Sequence, residues 1–271
     1  MRISAGLACF ALSLTFAGTL DAAQSIPDFS GFWQHGVPGQ QFDNPPSGPG
    51  PVRRIGVPEN YTANINWHGN DKNPILQPWA AEAVRKEWER ESQGLPELSA
   101  FTTCRPAGVP FVLSFLRPMQ ILQTRDRVYL HYQFNQQMRV VYLNVPHAKS
   151  LKPSYYGESV GHYEGDTLVV DTIGMNDKTW IDRFATPHTE KLHVVERYRL
   201  IDGGKTMEVF FTVDDPGAFT MPWSGIVRFP RVNVGSIQEE VCAENNTFHG
   251  ITVPVAEIDP ISGKTIPRSP P

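Results

Sequence analysis

Three histidines with acids close on either side mark the stretch of this chain whose residue types suit proton-transfer chemistry. His162, His188 and His193 fall between Ser159 and Arg199, beside Asp166, Asp171, Asp177, Asp182, Glu190 and Glu196. Within it, Glu164-Gly165-Asp166-Thr167 reads as a hairpin whose two-residue loop, Gly165-Asp166, meets the need of such turns for positive φ. In that register Tyr163 faces Leu168, His162 faces Val169 and Val160 faces Asp171. Side chains alternate with period two, so His162 and Asp171 share one face as diagonal neighbours within hydrogen-bonding reach. A carboxylate beside an imidazole fixes its tautomer and favours the protonated ring, as general acid–base work requires. His162, Asp171 and His193 are therefore the expected catalytic residues, on the condition that their face looks into an enclosed hollow. Turned outward, the same groups are a solvated surface cluster.

Other groups suit ligand contact. Trp180 and Asp182 stand in the loop after the second hairpin strand, where an aromatic and an acid can meet a ligand at a barrel mouth; Trp180 as a plug of the barrel end is the alternative. Arg117, like Arg105, can clamp a carboxylate through its planar fork. His131 shares a strand face with Tyr129. On the strand that begins near His193, Val194, Glu196 and Tyr198 form one face and His193, Val195 and Arg197 the other. If the Val194 face looks inward, Glu196 is a buried carboxylate in need of Tyr198 and an arginine. His188, also read as a substrate contact, belongs to a second constellation, His188-x-Glu190-x-x-His193, with enough ligand types for zinc or another transition metal. That spacing lacks the helical i, i+4 arrangement of metalloproteases, so metal binding by His188, Glu190 and His193 is the lesser alternative to a site without cofactor.

The elements that must position these groups are mostly strands. Met119–Thr124 and Arg127–Tyr132 flank an Arg125-Asp126 turn; further strands are expected at 139–144, 162–172, 192–201, 206–213, 226–234 and 236–242. Short strands at even spacing with Gly, Pro and Asp turns indicate a mainly β fold, an antiparallel barrel or alternatively a sandwich. Gly31-Phe32-Trp33 resembles the Gly-x-Trp opening strand that packs at the closed end of a barrel. Pro78–Ser92 is the one clear helix, with proline in its first turn and Ala80, Val84 and Trp88 on one stripe. Prolines and glycines crowd the loop at 38–51.

Residues 1–23 have the short basic start, apolar run and small-residue end of a secretory signal, too short for a membrane span. The expected organisation is a signal peptide at 1–23, an N-terminal strand, loop and helix packed on the barrel at 24–100, a barrel core at 101–253 and a loose tail at 254–271. With a net charge of −4 and an isoelectric point near 6.1, nucleic acid and anionic membranes are poor partners. No membrane insertion is expected after signal cleavage, and a periplasmic or secreted location follows. There Cys104 and Cys242 either bridge or remain two thiols.

From His162 to Thr172, then through Asn176-Asp177, Trp180-x-Asp182, Pro187-His188 and Leu192-His193-x-x-Glu196-Arg197, the chain resembles a family of uncharacterised exported bacterial proteins that carry a GHWEGDTLVVDT block. The similarity extends through Cys104-Arg105-Pro106-x-Gly108-x-Pro110, Asp214-Asp215-Pro216 and Val241-Cys242-x-Glu244-Asn245. Tyr163 stands where that family usually has Trp. The resemblance implies export and a lipocalin-like barrel, and carries no mechanism. No Gly-x-Ser-x-Gly elbow, phosphate loop or dinucleotide fingerprint is present. The expectation is a cofactor-free acid–base enzyme of lyase, isomerase or hydrolase type on a small, partly apolar, aromatic or sugar-derived molecule. The alternative is a non-catalytic barrel that binds a small molecule.

Overall fold

The alternation read from Met119 onward builds a wall that closes on itself. The computed structural model describes residues 26–36, 41–55, 68–93, 95 and 98–245, and the backbone of 247–248, 251–252, 257–258 and 265–266. The expected signal segment and most of the tail lie outside them. Nine strands, β1 (Gly31–Trp33), β2 (Met119–Gln123), β3 (Arg127–Tyr132), β4 (Gln137–Leu143), β5 (Glu158–Glu164), β6 (Thr167–Ile173), β7 (His193–Ile201), β8 (Thr206–Asp214) and β9 (Trp223–Val232), form a closed barrel of lipocalin-like kind in that order. β1 closes it by pairing with both β2 and β9. Closure leaves little strand edge to seek a partner, the exception being part of β4.

The barrel is filled by its own side chains. Met119, Leu130, Val141, Val170, Val194, Val209, Phe211, Trp223 and Val227 are buried, and each alternates with an outward neighbour. One end is sealed by Trp33, whose indole donates to the Phe29 carbonyl at 2.8 Å. The Arg231 guanidinium lies 4.1 Å over the Trp33 ring and donates to the Ser30 carbonyl. The Gly-x-Trp reading is thus matched by a packed barrel end.

The helix α1 (Pro78–Ser92) has the expected bounds, but its buried stripe is Ala80, Val84 and Glu87. Trp88 is half-buried and stacks on His68 at 4.1 Å, while the Glu87 carboxylate is occupied by the Leu98 backbone N–H. A short helix, α2 (Ala100–Thr103), leads to Cys104, which is bridged to Cys242 across a Cα separation of 5.5 Å. Cys242 opens α3 (Cys242–Asn245), so the strand expected over 236–242 is absent; Arg117 and Gln136 hold that segment through Glu240 and the Gln238 carbonyl instead. Among the described residues no helix is long and apolar enough to cross a membrane.

One pairing departs from an all-antiparallel reading, and it matters for the site. β4 and β5 run parallel, joined by a crossover through 144–157, and only Val141, Tyr142 and Leu143 meet Ser159, Val160 and Gly161. Among the described residues the first half of β4 therefore has no ladder partner on that side. The chain before β5 leans instead towards the end of β6, through a Ser154–Met175 bridge. Gly157 makes this possible with φ +61°: a Cβ there would collide with the Ile173 carbonyl oxygen.

Candidate functional site

Strand parity decides what faces where. In β7 the Val194, Glu196 and Tyr198 set points inward, and His193, Val195 and Arg197 point outward. Glu196 is fully buried and finds both partners that burial of a charge demands. Arg139, an inward residue of β4, donates to Glu196 Oε1 at 2.9 Å and also to Oε2. Tyr198 donates to Oε1 at 2.7 Å. The remaining Arg139 donors go to Ser159 Oγ at 2.9 Å and Thr172 Oγ1 at 2.7 Å. Burial alone would push the guanidinium down, yet the Glu196 carboxylate holds it well above its ordinary range. Burial, with the Glu196 charge added, pushes the Tyr198 phenol well up, so it stays a donor. Tyr132 is pushed up to about 12 by burial, and its hydroxyl has no hydrogen-bond partner among the described residues.

This buried polar layer lies beneath the seam where β4 and β5 part. Between Met138–Val140 and Tyr156–Ser159 lies a cleft of about 300 Å³, at the small end of the range for ligand pockets. Met138, Val140 and Tyr142 contribute its outer wall, and Arg139 and Ser159 its floor. Tyr156 donates to the Gln137 side chain, and its ring lies parallel to that of Tyr132, 6.3 Å between centroids. On the rim stands Glu158. Its Oε2 accepts from the Ala148 N–H and from His147 Nδ1, each at 2.9 Å. Its Oε1 has no hydrogen-bond partner among the described residues.

Behind Glu158 a chain of groups runs over the outer wall. His147 Nε2 meets Asp171 Oδ1 at 3.1 Å, and His193 Nε2 meets the same oxygen at 2.9 Å. Glu158, His147, Asp171 and His193 thus form one hydrogen-bonded line across β5, β6 and β7. His147 faces a carboxylate with each ring nitrogen and donates to both only as the imidazolium.

The expected hairpin register is present, residue for residue, with Gly165 at φ +61°. His162 and Asp171 do share a face, but that face is the outside of the barrel. His162 is half-exposed and bonds Glu164 at 3.0 Å, not Asp171. Its nearer same-face partner, two residues along its own strand, wins over the diagonal one. Arg197 also pairs with Glu164, at 2.6 Å. The enclosed hollow holding His162 and Asp171 is therefore corrected to an open outer wall on which Asp171 keeps His193 and gains His147.

The other expected contacts disperse. Asp182 is fully buried and organises its own loop, accepting from the Phe184 N–H at 2.8 Å and Thr186 Oγ1 at 2.8 Å. Burial raises its carboxyl to about 6. His188 is buried, held by Thr179 Oγ1 at 2.7 Å and the Thr189 carbonyl at 3.1 Å, and burial pushes its imidazole down. Trp180 packs against the core beside Lys178 and Arg105, away from the cleft. Arg117 does clamp a carboxylate, that of Glu240, at 2.9 Å. Tyr198 serves Glu196 inside the barrel. Of these residues only His131 lies near the cleft, on the outer wall opposite Met138. With His188 buried, Glu190 exposed and His193 on Asp171, the suggested metal trio does not converge, and no group of three such side chains among the described residues is arranged to hold a metal.

Arg139, His147, Tyr156 and Glu158 were the residues not singled out from sequence. Arg139 carried a signal: it shares strand parity with Val141 and Leu143, so an inward face places a charge in the core. Glu158 shares parity with Val160 and His162. His147 lies in a crossover whose path no periodicity predicts. No protein-family model matches the chain, and no curated protein matches it in sequence.

Proposed function

We propose that this is an exported, cofactor-free acid–base enzyme that holds a small, partly aromatic molecule in the cleft between β4 and β5, with Glu158 as the group that takes and returns a proton. The observation that carries the reading is the Glu158 carboxylate: one oxygen is locked by two donors, and the other, on the rim of a ligand-sized cleft, has no partner among the described residues. The fixed oxygen orients the carboxylate, and the hydrogen-bonded line through His147 and Asp171 to His193 connects it to solvent. Tyr142, Tyr156, Met138 and Val140 supply apolar and aromatic surface for a ring. The Arg139–Glu196 pair is neutral overall, which favours a neutral ligand over an anion at the floor. The Cys104–Cys242 bridge supports an oxidising compartment and hence export.

A second reading, a barrel that binds without turnover, is favoured by those same apolar walls, which need no proton transfer to hold a ring. Ligand-observed NMR separates the two. Aryl alkyl ketones and arylacetaldehydes, whose α-protons are enolisable, are incubated with the protein in D2O. Saturation transfer reports binding, and loss of a carbon-bound proton signal reports abstraction and return of a proton. Binding with exchange supports the enzyme; binding of the whole panel with every proton retained supports the carrier.

A further inference from the structure

The outer wall next to the cleft is apolar where solvent should meet polar side chains. Leu122 on β2 is 46% exposed, and Met138 and Tyr142, both on β4 with β3 between, are 53% and 41% exposed. The register aligns Leu122 with Tyr129 and Tyr129 with Val140, so one continuous outward row crosses β2, β3 and β4. Val140 ends that row inside the cleft. The flanking rows turn polar away from the cleft. Gln120 and His131 continue from Met138, and Arg127 stands opposite Tyr142 with its guanidinium 5.4 Å over that ring. The result is a narrow apolar track with polar edges. It runs about 10 Å from β4 to β2, two strand spacings.

We propose that the cleft takes one end of the ligand and that this track takes the other, so the natural ligand is an elongated amphipathic molecule with two flat apolar units and polar substituents at its edges. The inference rests on the cleft being the ligand site. Exposed apolar surface in a connected patch marks a binding surface. A row one residue wide is far below the roughly 800 Å² per partner of a stable protein interface, whereas it matches the length and breadth of a single ring with its linker. Its continuity with the cleft through Val140 places both ends of one molecule on a common path. His131 and Arg127 are then the residues that select substituents on the outer ring.

The test compares two probes with the same phenolic head: 4-ethylphenol, with one ring, and 4,4′-ethylenediphenol, with two. Isothermal titration against the full chain is expected to give about tenfold tighter binding of the two-ring probe, from the added apolar area. Leu122→Asp and Leu122→Gln, both at an exposed position and checked by circular dichroism, should remove that gain and leave 4-ethylphenol unchanged. Equal affinity of the two probes, or a gain that survives both variants, overturns the track while leaving the cleft in place. Failure of both probes to bind overturns the cleft reading and the track with it. Sedimentation velocity on the same samples adds one more outcome. A dimer that Leu122→Asp disperses assigns the row to a second copy of the chain and overturns the ligand proposal.

Discussion

Replacing Arg139 by methionine should unbalance the barrel interior more than any other single change at the site. The substitution keeps a long unbranched side chain but deletes every bond of the guanidinium: two to Glu196, one to Ser159 and one to Thr172. Ser159 and Thr172 still satisfy each other at 3.0 Å. Glu196 does not recover, because the Tyr198 hydroxyl alone remains on a carboxylate with no solvent contact. Leaving one member of a buried pair uncompensated costs about 3 to 5 kcal/mol, a large part of the roughly 5 to 15 kcal/mol that holds a domain folded. The companion change Glu196→Leu removes the stranded charge. The double variant should then lose only about 1 to 2 kcal/mol, the penalty of the Tyr198 hydroxyl left unpaired. Urea unfolding at pH 7 with the disulfide intact, followed by far-UV circular dichroism, measures all three proteins. A single variant that loses less than about 1.5 kcal/mol, or a double variant that loses the sum of the singles, refutes the buried pair as drawn.

Asp182 predicts a pH dependence. Its folded-state carboxyl holds a proton to about 6 instead of 3.8, so this contribution is complete below about pH 3.8 and is lost as pH rises through 6. The full change is roughly 3 kcal/mol at ~1.36 kcal/mol per pH unit. Asp182→Asn should therefore gain stability relative to the parent between pH 4 and pH 7 in thermal melts; parallel curves for the two proteins count against the burial argument. His188, pushed the other way by burial, loses its contribution as pH falls, and comparing variant with parent cancels that term. At Gly157, alanine meets both a left-handed φ and the Ile173 carbonyl, for a cost of about 2 to 4 kcal/mol and a weaker hold on any cleft ligand. A Gly157→Ala variant with parental melting and binding contradicts the part given to that glycine in opening the seam.

The architecture was legible because its signals are local. The Glu164–Thr167 turn, the strands β2 to β9 and the bounds of α1 follow from periodicity and turn chemistry, whereas the Glu196–Tyr198 pairing was one of two faces that periodicity left open. What was not legible depends on chain path. The period-two rule put His162 and Asp171 on one face but contains nothing about which face is inside. Parity within a strand is settled by burial of its neighbours, and Val194 and Tyr198 outweigh His193 and Arg197 in β7. Arg139 shares strand parity with Val141 and Leu143, and the same open question of facing hides it. The cleft itself follows from the parallel β4–β5 pairing and from the turn at Gly157. Neither is written in a hydrophobic pattern, and both bring residues 147, 158, 171 and 193 together from separate segments.

The claim on which the functional reading stands is that Glu158, and not the hairpin histidine, carries the proton. Carbon-bound proton exchange of an aryl ligand in D2O, followed by NMR for the parent, Glu158→Gln and His162→Ala, tests it directly. Exchange should persist in His162→Ala and vanish in Glu158→Gln, while saturation transfer shows the ligand still bound to both. Exchange that continues in Glu158→Gln, or that disappears with His162, contradicts the account.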